Sequence, residues 1–163
     1  LLAKLEITPL SIWMRESGPA FFTSLSLHSL AMGFVVGINF AIALGILGFI
    51  PRVNPRSFDK FFTLHWYACR LILLSGLALL LAYPAKALTN PVFFAKLIAL
   101  SSALLITFKF QKQFFSEAAT EAGMASSSLK PWATLSIFLW VATITMGRFL
   151  AYTHEILLAS RFF

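Results

Sequence analysis

The stretch that decides the fold is residues 30–50, LAMGFVVGINFAIALGILGFI, in which Asn39 is the only polar side chain. A helix rises about 1.5 Å per residue, so this stretch alone is long enough to cross a hydrocarbon core of about 30 Å. Backbone N–H and C=O groups find no water inside lipid, and a spanning segment is therefore expected to be a helix.

The composition of the whole chain also indicates a lipid environment. Of the 163 residues, 59% are apolar and 12% are charged, whereas soluble domains have about 45–50% and about 25%. A soluble globular domain and a disordered chain are therefore both excluded.

The single cysteine, Cys69, excludes a disulfide within the chain and any multi-cysteine zinc or iron–sulfur site. The net charge of +7 comes from Lys and Arg that lie mostly at the ends of apolar runs, which indicates membrane anchoring and no nucleic-acid partner.

Four apolar stretches are long enough to span a bilayer. They cover about residues 20–50, 61–83, 91–110 and 131–152, and prolines mark the breaks between them. The prediction is a single all-α domain over residues 1–163, an integral membrane four-helix up-and-down bundle. The loop at about residues 111–130 is the long one and is expected to carry a short amphipathic helix.

The residues before the first span are expected to lie in the membrane interface. Apolar side chains at Leu5, Leu10 and Trp13 are interleaved with the charged Glu6 and Arg15. This pattern is typical of interfacial helices. The bundle is therefore predicted to have an N-terminal interfacial segment.

The cations outside the apolar cores predict the orientation of the chain. Four spans put both termini on one side of the membrane, which we call side A, and the first and third loops on the other, side B. Side A carries Lys4, Arg15, Lys86 and Arg161, and side B carries Arg52, Arg56, Lys60, Lys109, Lys112 and Lys130. The positive-inside rule then places side B in the cytoplasm and both termini in the periplasm, for a multi-pass protein of the bacterial inner membrane.

Arg70 is the most costly residue of the chain because it falls near the middle of the second span. No Asp or Glu lies in the apolar core of any span. One interpretation is that Arg70 pairs with Asn39, backbone carbonyls and water, or snorkels to the interface. The other is that its counter-charge is a cofactor carboxylate, a lipid phosphate or an acid of a partner subunit.

Two histidines are predicted to lie at similar depth on side A. His28 opens the apolar part of the first span, and His154 closes the fourth. A histidine on each face is what six-coordinate haem b requires, and Lys96 and Arg148 on the same side are candidates to neutralise the haem propionates. The alternative is that His28 is an interfacial histidine hydrogen-bonded among serines and His154 a helix-end residue.

His65 enters its span from side B and is a less favoured metal ligand. Cys69 follows one turn later, so the two side chains are on one helical face and could hold copper. Two ligands alone are a weak metal signal. Packing at the membrane interface beside Trp66 and Tyr67 is the favoured role for His65.

Several stretches resemble a family of small four-helix bacterial membrane proteins of unknown function. They are residues 5–11 (LEITPLS), 15–17 (RES), 27–33 (LHSLAMG), 90–97 (NPVFFAKL) and 147–152 (GRFLAY). More distantly, the histidine of the first span, Ser75-Gly76 and the lysine of the third span are similar to copper-resistance-D-type proteins and to the haem-binding four-helix protoporphyrinogen oxidase of bacteria. The distant resemblance implies roles for His28 and Lys96, and the closer one a role for Arg148.

The leading hypothesis is a haem-b-binding electron-transfer subunit that links a quinone pool to a membrane or periplasmic redox partner. In it, His28 and His154 ligate the iron, while Lys96, Arg148 and Arg70 act on the propionates or on quinone. The first alternative is a non-catalytic assembly subunit, homo- or hetero-oligomeric, that packs through the small residues Gly33 and Gly37. The second is copper handling. An electron-transfer or accessory subunit is favoured over a stand-alone enzyme, because the sequence carries none of the hydrolase, kinase or metalloprotease motifs.

Overall fold

The computed structural model describes residues 5–50, 59–114 and 127–159, and the regular elements in these ranges are all helical. The four long helices are α2 (Gly18–Leu47), α3 (Asp59–Ala82), α5 (Pro91–Phe114) and α6 (Lys130–Ala159). Two shorter helices are α1 (Pro9–Glu16), at the N-terminal end, and α4 (Pro84–Leu88), between α3 and α5. A 3-10 turn, Ser127–Leu129, leads into α6.

Capping interactions explain where α1 and α2 begin and where α2 ends. The Thr8 side chain accepts from the N–H of Ser11 at the start of α1, and the Ser17 side chain accepts from the N–H of Ala20 at the start of α2. Such caps satisfy N–H groups that have no partner within the helix. The last turn of α2 is closed by Gly48 at φ 87°, a left-handed conformation that favours glycine.

The expectation of four long apolar helices is confirmed. All four are long and apolar enough to cross a membrane, over Gly18–Leu47, Lys60–Ala82, Pro91–Gln113 and Lys130–Leu150. The helices differ from the expected spans mainly at their ends: α2 ends at Leu47 rather than at residue 50, and α6 continues to Ala159. The amphipathic helix expected in the third loop falls largely on residues 115–126, outside the described residues.

The long helices pack in the pairs α2–α3, α5–α6 and α2–α6. Two apolar clusters lie between them. The loop-side cluster, toward side B, is made of Ile38, Ile42, Ala43, Ile46, Phe62, Ile106, Phe110, Leu129 and Ala133. The central cluster is made of Ala31, Val35, Val36, Ile72, Ala103 and Trp140.

The N-terminal helix α1 is amphipathic in the way the sequence predicts. It packs against α3 and α2, and its buried residues are Ser11 and Met14. Leu10 and Trp13, each one position before a buried residue, are exposed on the adjacent face. This helix therefore has an apolar face that the rest of the chain leaves uncovered.

Candidate functional site

His28 on α2 is held by one ring nitrogen against α3. Its Nδ1 lies 3.1 Å from the carbonyl oxygen of Ile72 and 3.1 Å from Oγ of Ser75. A carbonyl oxygen can only accept, so Nδ1 carries the proton and donates it. In the neutral ring, Nε2 then keeps its lone pair, which is how second-shell bonds orient histidines that bind metals.

The surface of α3 is shaped to receive this ring. The Ser75 hydroxyl donates to the Leu71 carbonyl at 2.6 Å, which leaves its oxygen free to accept from His28. A Cβ atom at position 76 would lie 3.2 Å from Cε1 of His28, so Gly76 lets the helix backbone approach the ring. The Ser75-Gly76 pair therefore fixes the position of the imidazole.

Lys96 on α5 completes a four-helix cluster on side A. Its side chain is half-buried and lies within electrostatic range of the His28 imidazole. A Cβ at position 147 would lie 3.5 Å from its Nζ, so the lysine also packs against Gly147 of α6. Among the residues whose side chains are described, no carboxylate pairs with Lys96. The cluster of His28, Ser75, Gly76, Lys96 and Gly147, which we call the side-A site, thus holds an unneutralised cation beside an imidazole.

The structure does not gather every predicted residue at this site. Arg148 follows Gly147, but its side chain is exposed. Arg70 is exposed as well, with its guanidinium 5.2 Å from the centre of the Tyr67 ring. The side chain of His154 lies outside the described part of the chain. Its backbone follows Gly147 by seven residues of α6, about 10 Å along the helix axis.

His65 is completely buried inside the protein. The predicted packing beside Trp66 is present, with ring centroids 5.1 Å apart, and the level of His65 at the membrane interface stays a prediction. Nδ2 of Asn39 lies 2.8 Å from the Val35 carbonyl and 2.9 Å from Nε2 of His65. Because Nδ2 can only donate, His65 accepts at Nε2 and carries its own proton on Nδ1.

Asn39 is therefore committed to His65 and not to Arg70. Its remaining polar atom, Oδ1, accepts from the hydroxyl of Thr107 on α5. The suggested pairing of Arg70 with Asn39 is wrong, because both ends of the Asn39 amide are already satisfied inside the protein. The partnership of Asn39, His65 and Thr107 was not foreseen, and its one signal in the sequence was Asn39, the only polar side chain of residues 30–50.

The pair His65 and Cys69 does not fit a copper site as it stands. The Cys69 sulfur lies 3.7 Å from Nδ1 and 3.8 Å from Nε2 of His65, so the two side chains are adjacent. However, Nδ1 bears a proton and the lone pair of Nε2 is engaged by Asn39, so neither nitrogen is available to a metal. Among the described residues, no group of three or more His, Cys, Asp or Glu side chains is placed to hold a metal ion.

No family model, curated protein or solved structure matches the chain. The resemblance to small four-helix bacterial membrane proteins therefore stays a prediction. The function has to be inferred from the side chains of the molecule and their surroundings.

Proposed function

We propose that the protein is a multi-pass membrane protein whose four long helices form an up-and-down bundle with both termini on the periplasmic side of a bacterial inner membrane. The length and apolarity of the helices support this. Large apolar side chains are also exposed along their outer faces, where only lipid would cover them. They include Leu73, Leu74, Ile98, Leu105 and Phe138.

The contacts at side B are of the kind found where helices leave the hydrocarbon core. Nζ of Lys109 lies 3.6 Å from the centre of the Trp132 ring. Trp66 donates from Nε1 to Oε1 of Gln111 at 2.7 Å. Tryptophan and lysine at this level favour an interface with lipid headgroups, which supports the assignment of side B to one membrane surface.

Within this bundle, the side-A site binds an anionic redox cofactor, and haem b fits it best. The observation that carries the proposal is the orientation of His28: Nδ1 donates to the Ile72 carbonyl, and Nε2 is left as a lone-pair donor. Iron in haem b takes such a nitrogen as axial ligand, and the bound group supplies a one-electron couple.

The cations of the site complement the carboxylates that haem b carries. Lys96 is half-buried and lacks a carboxylate partner among the described side chains, so an incoming propionate would relieve an uncompensated charge. Arg148 is exposed next to Gly147 and would act on the second propionate. Arg70 is the candidate for a quinone or lipid headgroup at the outer surface of α3.

His154 on the fourth long helix would be the second residue to hold the iron. The function that results is that of an electron-transfer subunit between a quinone pool and a periplasmic or membrane redox partner. His28 and Lys96 hold and polarise the cofactor, and the bundle excludes water from it.

The test is the visible spectrum of the purified protein, recorded with and without dithionite. We expect a reduced-minus-oxidised α-band of haem b in the wild type, and none in His28→Ala. Ser29→Ala, at the neighbouring exposed position, is the control and should keep the band. A wild-type protein that contains no haem after expression with a haem precursor, or a His28→Ala variant with an unchanged spectrum, would refute the proposal.

A second candidate function, an assembly subunit, is favoured by the face of α2 that carries Gly33 and Gly37. Both are exposed, and a Cβ at either position would meet no atom within 4 Å. Together with Phe34, Ala41 and Phe61 they line a groove of about 420 Å³. Small residues at this spacing let a helix of another subunit approach closely.

The two candidates are separated by Gly33→Leu and Gly37→Leu. An assembly subunit should lose its complex on native gels while the purified chain shows no chromophore. A haem subunit should keep its spectrum in both variants, because the groove lies away from the residues of the side-A site.

A further inference from the structure

Each of the four long helices contributes one fully buried polar residue to the same level of the protein. The four residues are Asn39 of α2, His65 of α3, Thr107 of α5 and Ser136 of α6, and none is more than 1% exposed. We call this set the polar layer. It lies among the side chains of the loop-side cluster: Asn39 falls between Ile38 and Ile42, and Thr107 between Ile106 and Phe110.

Three members of the polar layer bond to one another, and the fourth does not. Asn39 links His65 and Thr107. Oγ of Ser136 is buried without a hydrogen-bond partner, and so is Nε1 of Trp140. Both residues are 0% exposed. Buried polar atoms are nearly always satisfied, so two orphans together indicate that something binds to them.

The two unpaired atoms belong to residues one helical turn apart. Ser136 and Trp140 are four residues apart on α6 and therefore lie on the same helical face. Long side chains on a helix lean toward the preceding turn, which brings the indole of Trp140 toward Ser136. Serine in a helix often bonds to the carbonyl four residues earlier, but Oγ of Ser136 makes no such bond.

The chemistry of the two atoms selects the occupant. The indole N–H of Trp140 can only donate, so the bound group must accept. The Ser136 hydroxyl can donate and accept, so a group that does both satisfies it in either direction. A water molecule meets these demands and adds no charge to a buried site.

We propose that an internal water molecule binds between Ser136 and Trp140, beside the Asn39–His65–Thr107 network. It accepts from the indole N–H and hydrogen-bonds to the serine hydroxyl, so that every helix of the polar layer takes part in a satisfied network. The inference does not depend on a cofactor at the side-A site, because it uses other residues and would hold for a protein without haem.

The first test is the contact between Trp140 and water, measured in the wild-type protein in detergent micelles. With ¹⁵N-labelled tryptophan, the indole N–H of Trp140 should show a cross-peak to a long-lived water. Replacing each of the other three tryptophans, Trp13, Trp66 and Trp132, in turn by phenylalanine assigns the Trp140 signal by elimination. The absence of such a cross-peak at an assigned Trp140 signal would overturn the proposal, and this measurement needs no variant of the site itself to fold.

The second test is the sign of a stability change. If water binds, Ser136→Ala lowers the midpoint of thermal unfolding and abolishes the cross-peak, because the water loses one of its anchors. If the site is dry, the same substitution raises the midpoint, since it removes an unsatisfied buried hydroxyl, and the proposal fails. Ser101→Ala, at an exposed position of α5, is the control and should leave the midpoint unchanged.

A chloride ion is the other acceptor that two donors could hold. The midpoint should be equal in chloride and gluconate buffers of the same ionic strength if the occupant is water. A midpoint that rises with chloride in the wild type but not in Ser136→Ala would overturn the assignment to water.

Discussion

The two histidines whose side chains the structure describes are held by opposite ring nitrogens. His28 donates from Nδ1 to a backbone carbonyl of the next helix and keeps Nε2 available. His65 accepts at Nε2 from Asn39 and is completely buried. Two residues of the same type, packed between the same two helices, are thus prepared for different roles: His28 can bind a ligand, and His65 ties helices together.

The difference comes from what each ring meets on the neighbouring helix. His28 faces a turn of α3 with a small residue, Gly76, and a hydroxyl, Ser75, which bring the ring close to the backbone. His65 faces the side-chain amide of Asn39, which is itself fixed by Val35 and Thr107. A ring that donates to a backbone carbonyl is oriented and keeps the lone pair of its other nitrogen. A ring that accepts from an amide has used that lone pair and cannot offer it to a metal.

The largest expected effects are a loss of stability when His65 is replaced and a loss of the haem spectrum when His28 is replaced. His65→Ala should lower the free energy of unfolding by about 2–4 kcal/mol, because it leaves a cavity and removes the acceptor of the Asn39 amide. The intensity of any haem spectrum per folded molecule should stay unchanged. His28→Ala should abolish the haem spectrum with a smaller loss of stability, since this side chain is only half-buried. Denaturant unfolding in micelles and the reduced-minus-oxidised spectrum, measured on both variants, check this. Equal loss of spectrum in the two would mean that the sites are not distinct.

The next effect concerns the residue that holds His65. Asn39→Ala should destabilise the protein by about 2–3 kcal/mol, because it leaves Nε2 of the buried His65 unpaired and removes one of the two acceptors of the Thr107 hydroxyl. A matched substitution, Thr145→Ala at an exposed position of α6, should change the unfolding midpoint little. If Asn39→Ala were as stable as the wild type, the network would not be a source of stability.

A smaller effect is expected from adding a methyl group beside His28. In an open position, Gly→Ala within a helix stabilises by about 0.5–1 kcal/mol, and Gly33→Ala, with nothing within 4 Å of the new Cβ, should show this gain. Gly76→Ala should not, because its Cβ would lie 3.2 Å from the His28 ring and push it aside. Thermal unfolding of both variants and haem titration of the second provide the comparison. A full gain in stability with unchanged haem affinity for Gly76→Ala would show that the close approach is unimportant.

The smallest expected effect comes from Ser75→Ala. His28 loses one acceptor but still donates to the Ile72 carbonyl, so haem affinity should fall by less than about tenfold, the equivalent of roughly 0.5–1.5 kcal/mol for one hydrogen bond. Titration of the purified apoprotein with haem measures this, and Ser101→Ala serves as the control. A complete loss of binding would mean that the serine, and not the carbonyl, orients the ring.

The sequence predicted the helices much better than their contacts. The four long apolar segments were identifiable because apolarity over about 20 residues depends only on composition and length. The grouping of His28 with Lys96 followed from their common side of the membrane. The pairing of Asn39 with Arg70 failed and the bond between Asn39 and His65 was not foreseen, because the direction in which a side chain points across a packed pair of helices depends on helix rotation, which a nearly uniform apolar pattern leaves undetermined.

The amino-acid sequence by itself determined an all-helical chain with four segments able to span a membrane, since each segment satisfies its backbone hydrogen bonds internally and needs no partner to do so. Only the tertiary structure decided which polar side chains meet. It set His28 against Ile72, Ser75 and Gly76, and it joined Asn39, His65 and Thr107 inside the protein. The physical reason is that a buried polar atom must be satisfied by a neighbour from another helix or by a bound ligand, and that neighbour is fixed by the packing of the helices rather than by the order of the chain.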